Sequence, residues 1–260
     1  MPVNYSELVR NTSVHVKHPN NGIQLIIETP NLLIRSVEER DIDFYQTLWA
    51  DSQVMEKFAS GEPRHYSGNA DEKKEKTETG AEYDYALWRI KEWESSWLNR
   101  RKDNNIWHGL TICNNEGNPI GHIVLGGGEL AYFLMPEYWG QGFTSEAACA
   151  LTKIAVPYIS LHHKDIQVPQ QINATVRTDH PASQHVLINA GFVIDETTET
   201  SEKFGNTRYE VRVSTVDFIE SYKAQLAVTR KSSYDTGHTV FESTIGRSGL
   251  TENPAASNTF

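Results

Sequence analysis

The chain has 260 residues, 24 Lys plus Arg against 34 Asp plus Glu, and a formal charge of −10 with histidine neutral. That length allows one substantial core with extensions, and the acidic balance argues against a nucleic-acid partner, which would need a basic footprint to neutralise phosphates. The two cysteines, Cys113 and Cys149, sit among apolar neighbours, no apolar run approaches the ~18 residues of a membrane span, and the first 30 residues lack a secretion signal's continuous apolar stretch; the expectation is a soluble cytoplasmic protein with neither a disulfide nor a metal.

Residues 1–28 read as a polar lead-in whose patch Ile23-Gln24-Leu25-Ile26-Ile27 is an extra strand or a segment packed on the domain. Leu32, Leu33 and Ile34 form a short strand. Glu38-Glu39-Arg40-Asp41 then opens a helix with acidic residues where its dipole favours them, and Phe44, Tyr45, Leu48 and Trp49 give that helix one apolar face. Residues 60–80 change character, with the charge run Asp71-Glu72-Lys73-Lys74-Glu75-Lys76, and read as an inserted solvated loop or a lid. A helix resumes near Tyr83, striped by Leu87, Ile90, Trp93, Trp97 and Leu98; its tryptophans suit packing better than ligand stacking.

Residues 106–113, 120–125 and 130–135 read as successive antiparallel strands. Residues 147–159 follow as a helix, 172–176 as a strand, and 181–190 as a helix closed by Gly191. Residues 192–195 and 208–214 are expected to finish the sheet as a hairpin around Gly205-Asn206. After Phe218 the pattern weakens, so residues 219–260 are expected to form a loosely ordered extension. The fold class is α/β (α+β), a mixed and mostly antiparallel sheet flanked by helices, occupying residues 29–218.

The most informative segment is Tyr138-Trp139-Gly140-Gln141-Gly142-Phe143-Thr144-Ser145-Glu146-Ala147, which lies between a strand and a helix. Its glycines remove side chains that would hold an anion off the backbone, and the helix behind them aims unpaired N–H groups and a positive dipole end at the loop. A P-loop would need Lys then Ser or Thr after the last glycine, and a dinucleotide fingerprint a third glycine at Ser145, so neither fits.

Glu137-Tyr138-Trp139-Gly140-Gln141-Gly142 resembles the coenzyme A loop of the GCN5-related N-acetyltransferases (GNAT), with Glu137 where Gln or Arg is usual. Trp-Gly-Gln-Gly-Phe-Thr-Ser-Glu-Ala is similar to the ribosomal-protein (RimJ/RimL-type) branch. Thr29-Pro30-Asn31-Leu32-Leu33-Ile34-Arg35, Asp51-Ser52-Gln53-Val54-Met55, Pro119-Ile120-Gly121-His122-Ile123, and Pro181-Ala182-Ser183 with Ala190-Gly191-Phe192 resemble that branch's opening strand, second helix, central strand and late helix.

The resemblance implies acetyl-CoA as co-substrate, its pyrophosphate on the N–H groups of Gly140, Gln141, Gly142, Phe143 and Thr144, and its pantetheine arm along the backbone of Phe133, Leu134 and Met135. It implies Ser183 as proton donor to the departing thiolate, although His180 stands where that motif carries Asn. His180 is a substitute coenzyme contact or a base near neutral pH, and Glu202 a candidate for activating water. The loop carboxylates Glu196, Glu199 and Glu202 equally suit a solvated turn, Glu146 an anchor at the helix N-terminus, and Tyr132 and Tyr209 packing.

The function implied is acetyl transfer to a primary amine, of a protein N-terminus or a small molecule, by direct attack on the thioester. An α-amine with a pKa of about 8 is partly neutral at cell pH and tolerates a weak base better than a lysine at about 10.4. The contrasting reading, motivated by Glu137 and His180, is a coenzyme-binding module of the same fold that serves regulation or assembly. A homodimer is compatible with either.

Overall fold

The computed structural model describes residues 3–19, 22–58, 61–63, 85–98 and 106–235. The charged insertion at 60–80, apart from 61–63, and the tail beyond 235 lie outside the described residues.

In chain order the elements are α1 (Tyr5–Asn11), β1 (Ser13–Lys17), β2 (Gln24–Glu28), β3 (Leu32–Ser36), a 3-10 turn (Glu39–Asp41) entering α2 (Ile42–Ala50), α3 (Ser52–Met55) and α4 (Tyr85–Leu98). There follow β4 (Leu110–Asn114), β5 (Pro119–Gly126), β6 (Glu129–Leu134), α5 (Phe143–Cys149), a π-helical stretch (Ala150–Ala155), α6 (Val156–His162), β7 (Gln171–Arg177), α7 (Pro181–Asn189), β8 (Thr200–Lys203), β9 (Asn206–Ser214) and α8 (Thr215–Asp235).

Among the described residues the strands form one sheet in the order β1-β2-β3-β4-β5-β6-β7-β9-β8. All neighbours are antiparallel except β6 and β7, which run parallel and share a single registered pair, Glu129 with Asn173. The apolar patch at 23–27 is a strand, and with β1 it extends the sheet beyond the opening strand β3.

Alternation along the strands separates two cores. On one face Leu25, Ile27, Ile34, Ile112, Ile123, Ile172 and Val176 pack with α1 and the helical run 143–162, and with Leu187 of α7 and Phe218 of α8. On the other, Tyr45, Leu48, Trp49, Val54, Ile90 and Trp93 of α2–α4 form a separate cluster that reaches Phe133 and Met135. Beneath them His122 of β5 is wholly buried, stacked between Trp93 (4.8 Å) and Phe133 (5.1 Å), with Nδ1 2.9 Å from the Tyr45 hydroxyl.

The helix expected at 147–159 runs from Phe143 to His162 with a π turn inside it. Pro157 explains the turn: a proline has no N–H for the carbonyl four residues earlier and crowds it. That carbonyl belongs to Lys153, and the Tyr5 hydroxyl of α1 donates to it at 3.1 Å.

Three sequence expectations need correction. The strand expected at 106–113 starts at Leu110, because residues 106–108 turn and the Trp107 indole donates to the Gln167 carbonyl at 2.9 Å. Residues 192–195 are not a strand. The N–H of Phe192 returns to the Leu187 carbonyl (3.0 Å) and that of Gly191 to Ile188 (3.0 Å), a double-bonded helix terminus, and Asp195 then accepts from the N–H of Thr197. The hairpin partner of β9 is β8 instead, turning through Phe204-Gly205. Finally, residues 219–235, expected as part of a loose extension, continue the helix α8 that begins at Thr215; Phe218 and Tyr222 dock that helix into the core.

Candidate active site

Beyond the Glu129–Asn173 pair β6 and β7 have no further registered partners. The ladder between β6 and β5 fixes what the opened edge of β6 exposes. Met135 N–H donates to Ile120 at 2.9 Å, so by antiparallel alternation Phe133 and Met135 direct their backbone groups at β5, whereas Tyr132 and Leu134 direct theirs toward β7. The expected backbone docking at 133–135 therefore shifts: Leu134 stays on the open edge, Tyr132 joins it, and Phe133 and Met135 are already engaged. The Leu134 carbonyl is itself taken by the Trp139 indole, at 2.7 Å.

At the end of this edge lies the glycine loop. Gly140 has φ +73° and Gly142 φ +87°, left-handed values that suit glycine, and a Cβ built on either would meet nothing within 4 Å. Both therefore face open space, as a backbone cradle requires. Gly142 precedes the first turn of α5, and Phe143 and Thr144 line the same cleft. Gln141 is exposed and does not line the cleft; its amide donates to the Glu137 carbonyl at 2.9 Å. Glu137 is likewise exposed and outside the lining, so its carboxylate does not oppose an anion in the cleft.

The loop is held from behind. Glu146 accepts from Thr29 Oγ1 (2.6 Å), Asn31 N–H (3.0 Å) and Asn31 Nδ2 (2.9 Å), tying α5 to the β2–β3 turn as an anchor. Asn189 of α7 donates to Ser145 Oγ at 3.1 Å and accepts from Cys149 Sγ through its carbonyl at 3.1 Å. Burial pushes the Cys149 thiol up to about 11, so it stays protonated in that contact. Cys113 is also buried and free.

The cleft has a volume of about 750 Å³ and runs from the loop between β6 and β7 to the β8–β9 turn. Ser183, on the first turn of α7, lines it, with its Oγ 2.9 Å from the Tyr132 hydroxyl. The same phenol can instead donate to the Ser183 carbonyl at 3.1 Å. A phenol has one proton, so the two arrangements exclude each other, and donation to Oγ leaves the serine proton free to face the cleft. Burial raises the Tyr132 pKa, partly offset by Ser183, which keeps the phenol a donor. Packing was the favoured sequence reading of Tyr132; only the topology places it against Ser183.

His180, at the N-cap of α7, lines the cleft and is half-buried. Its pKa is lowered first by burial and then by the Lys57 ammonium, against the opposing effect of Asp179, so the neutral imidazole is favoured. Glu202 is not brought to the site. It is exposed on β8, accepts a bond from the Thr207 hydroxyl and does not line the cleft. Sequence reasoning also missed Lys57, Arg177, Arg208 and Phe204, which line the cleft from segments far apart in the chain and carry no local motif. Among the described residues no group of three or more His, Cys, Asp or Glu could hold a metal ion, and no helix is long and apolar enough to cross a membrane.

An unpaired strand edge that ends in an open glycine loop and a helix start has the backbone groups that suit a phosphate-bearing ligand with an extended arm. The family model for the acetyltransferase (GNAT) domain matches residues 31–193, and the chain belongs to that family. No curated protein sequence matches it significantly. Similar solved structures include a GNAT-family acetyltransferase from Bacillus anthracis, 19% identical, covering 73% of this chain and 98% of that one with a TM-score of 0.46. Mutant forms of the spermidine/spermine N-acetyltransferase SpeG from Vibrio cholerae are 15% identical, with 73% and 98% covered and a TM-score of 0.44. AAC(6')-Ib in complex with ribostamycin and coenzyme A is 13% identical, with 70% and 93% covered and a TM-score of 0.44.

Proposed function

We propose that this acetyltransferase transfers the acetyl group of acetyl-CoA to a primary amine by direct attack on the thioester. The observation that carries the reading is the open edge of β6 at Tyr132, beyond the Leu134 carbonyl that Trp139 occupies, leading into the open glycine loop at 140–144. A pyrophosphate fits the N–H groups there, and a pantetheine amide fits the edge; the coenzyme supplies the activated acetyl group. Sequence similarity to the RimJ/RimL branch favours a protein N-terminus as acceptor, and a small amine is the nearest rival. Cytoplasmic action fits either.

In the transfer, a bond forms from the amine nitrogen to the acetyl carbon and the carbon–sulfur bond breaks. Ser183 gives its proton to the departing thiolate, while the Tyr132 hydroxyl, 2.9 Å away, donates a hydrogen bond to the developing alkoxide and keeps its own proton; the proton taken from the amine returns to Ser183 through solvent. The amine's proton passes to the neutral imidazole of His180. That base is weak, which suits an acceptor already partly neutral, such as an α-amine. Glu202 has no part in this scheme, because it is outside the cleft.

Thiol release from acetyl-CoA, measured over a panel of amines, tests the reading. A catalyst releases thiol only when an acceptor is present. Thermal stabilisation by coenzyme A with no thiol release from any amine would instead favour the non-catalytic binding module.

A further inference from the structure

We propose that Gln184, which does not line the cleft, is a positioning residue for the base of the transfer: its side-chain amide straps the β7–α7 loop and so holds His180 in the cleft. The proposal rests on the acetyltransferase reading above, in which His180 takes the amine's proton, and names what aims that base.

The loop needs a strap because the usual local device is missing. α7 starts at Pro181, and its N-cap is His180, whose side chain makes no capping bond. Ser, Thr, Asp or Asn in that place would fix the helix entry by accepting from the N–H groups of the first turn. An imidazole left out of that role is available to the cleft but does not hold its own backbone. Pro181 sets its own φ and has no N–H to give. What remains is a tight backbone turn, in which the N–H of His180 donates to the Arg177 carbonyl at 3.1 Å and those of Ser183 and Gln184 donate to the His180 carbonyl, both at 3.1 Å.

Gln184 closes that turn. Its Nε2 lies 3.0 Å from the Arg177 carbonyl and 3.0 Å from the Thr178 carbonyl. Both neighbours are acceptors, so the nitrogen of the amide must face them, and its two hydrogens make both bonds at once. The Arg177 carbonyl, with two lone pairs, serves the His180 N–H and the Gln184 amide together. Helical side chains lean toward the N-terminus, so a long one at the fourth helical position reaches back over the entry. The opposite side of the loop is tied to β9, where the N–H and the hydroxyl of Thr178 reach the Thr207 carbonyl at 3.2 and 3.3 Å. The Arg177–Asp179 pair is exposed, and solvent leaves such pairs little worth. Gln184 therefore links α7, which carries Ser183, to the loop that carries His180, and holds acid and base in one frame.

The titration of His180 reports where its ring sits. It is half-buried, and burial is the first cause that holds its pKa below 6.5. The charged groups acting on it are Lys57 and Glu56, just after α3, and Arg177 and Asp179 of its own loop. Replacing Gln184 with an uncharged residue alters none of these charges, so a shift would mark movement of the ring toward solvent.

The test is Gln184→Met, of similar length and without a donor. With acetyl-CoA and whichever amine of the panel above releases thiol fastest, we expect kcat about tenfold lower, as a small misplacement of a reacting group implies, and KM for acetyl-CoA within a factor of about two. On the ligand-free protein the His180 ring resonance, assigned by its absence in His180→Gln, should titrate closer to 6.5. Gln184→Lys, which can still donate to both carbonyls, should recover part of kcat. Gln184→Ala should show the same split if Gln184→Met folds poorly.

Unchanged kcat, or a His180 titration that does not move, would overturn the proposal and leave the acetyltransferase reading intact. So would a loss confined to KM for acetyl-CoA, which would assign Gln184 to the coenzyme. Absence of thiol release with every amine in the unaltered protein would sink the transfer reading and this role with it; the titration, read without substrate, tells the two failures apart.

Discussion

The hydroxyls of Tyr132 and Ser183 lie 2.9 Å apart, joining the open edge of β6 to the first turn of α7 across the cleft. This contact spans 51 positions in sequence. In the proposed transfer the serine is the member that faces the ligand and the tyrosine the hydrogen-bond partner behind it.

Replacing Ser183 with Ala should lower kcat by about 10²-fold, the usual worth of a positioned general acid, while the dissociation constant of coenzyme A stays within a factor of two to three. Tyr132→Phe should cost less, on the order of tenfold, as the loss of one hydrogen bond of about 1.4 kcal/mol implies. Steady-state kinetics alongside calorimetric titration with coenzyme A measure both. Unchanged turnover in Ser183→Ala would remove its acid role.

Gly142→Trp should abolish coenzyme A binding. The open space over a backbone with φ +87° becomes an indole, while the strain costs only about 1–2 kcal/mol of stability. Calorimetric affinity and the thermal midpoint read the two effects separately. Retained affinity would refute the placement of the phosphates.

The Glu146 carboxylate accepts three bonds from Thr29 and Asn31, so Glu146→Ala should destabilise the protein by about 3 kcal/mol, the cost of leaving those donors without their charged acceptor. Urea denaturation measures this. An effect below about 0.5 kcal/mol, the usual surface value, would show that the anchor is dispensable.

Burial lowers the His122 pKa from 6.5 to about 3, and the Arg89 charge adds to the effect. The unfolded chain then binds a proton below pH 6.5 that the folded chain refuses until about pH 3. The stabilisation from this residue is complete above pH 6.5 and is lost as pH falls. Between pH 7 and pH 4.5 the loss should be about 3 kcal/mol, and His122→Gln should flatten that slope in denaturation curves taken at the two pH values. Parallel slopes in the two proteins would contradict the burial.

Much of the fold was legible because its signals are local. Apolar spacing marked β3, α2 and α4, and the glycines at 140 and 142 marked the loop before α5. Glu146 read as an anchor from its place in that motif, and its three bonds agree. What failed was non-local or compensated. The segment after Gly191 looked like a strand from Phe192 and Ile194, but Phe192 is spent closing α7. The polar look of residues 219–235 hid a helix that needs few apolar residues, Phe218 and Tyr222 among them, to dock. At the site, Ser183 and His180 stand in a motif, whereas Tyr132, Arg177 and Arg208 acquire meaning only when β6, β7 and β9 are set side by side. Glu202 was a guess from spacing, and a β-strand's alternation sent it to solvent.

The indole of Trp139 makes the entry to the cleft a ruler. Because it occupies the Leu134 carbonyl, an extended guest coming from the loop finds its first vacant acceptor at Tyr132, two residues or about 7 Å farther in. On the proposed binding mode one register would be enforced, and the reactive carbon would be delivered at a fixed depth. Removing that ring would add a rung to the ladder and let the guest halt short, so the aim of the chemistry depends on a side chain that takes no part in it.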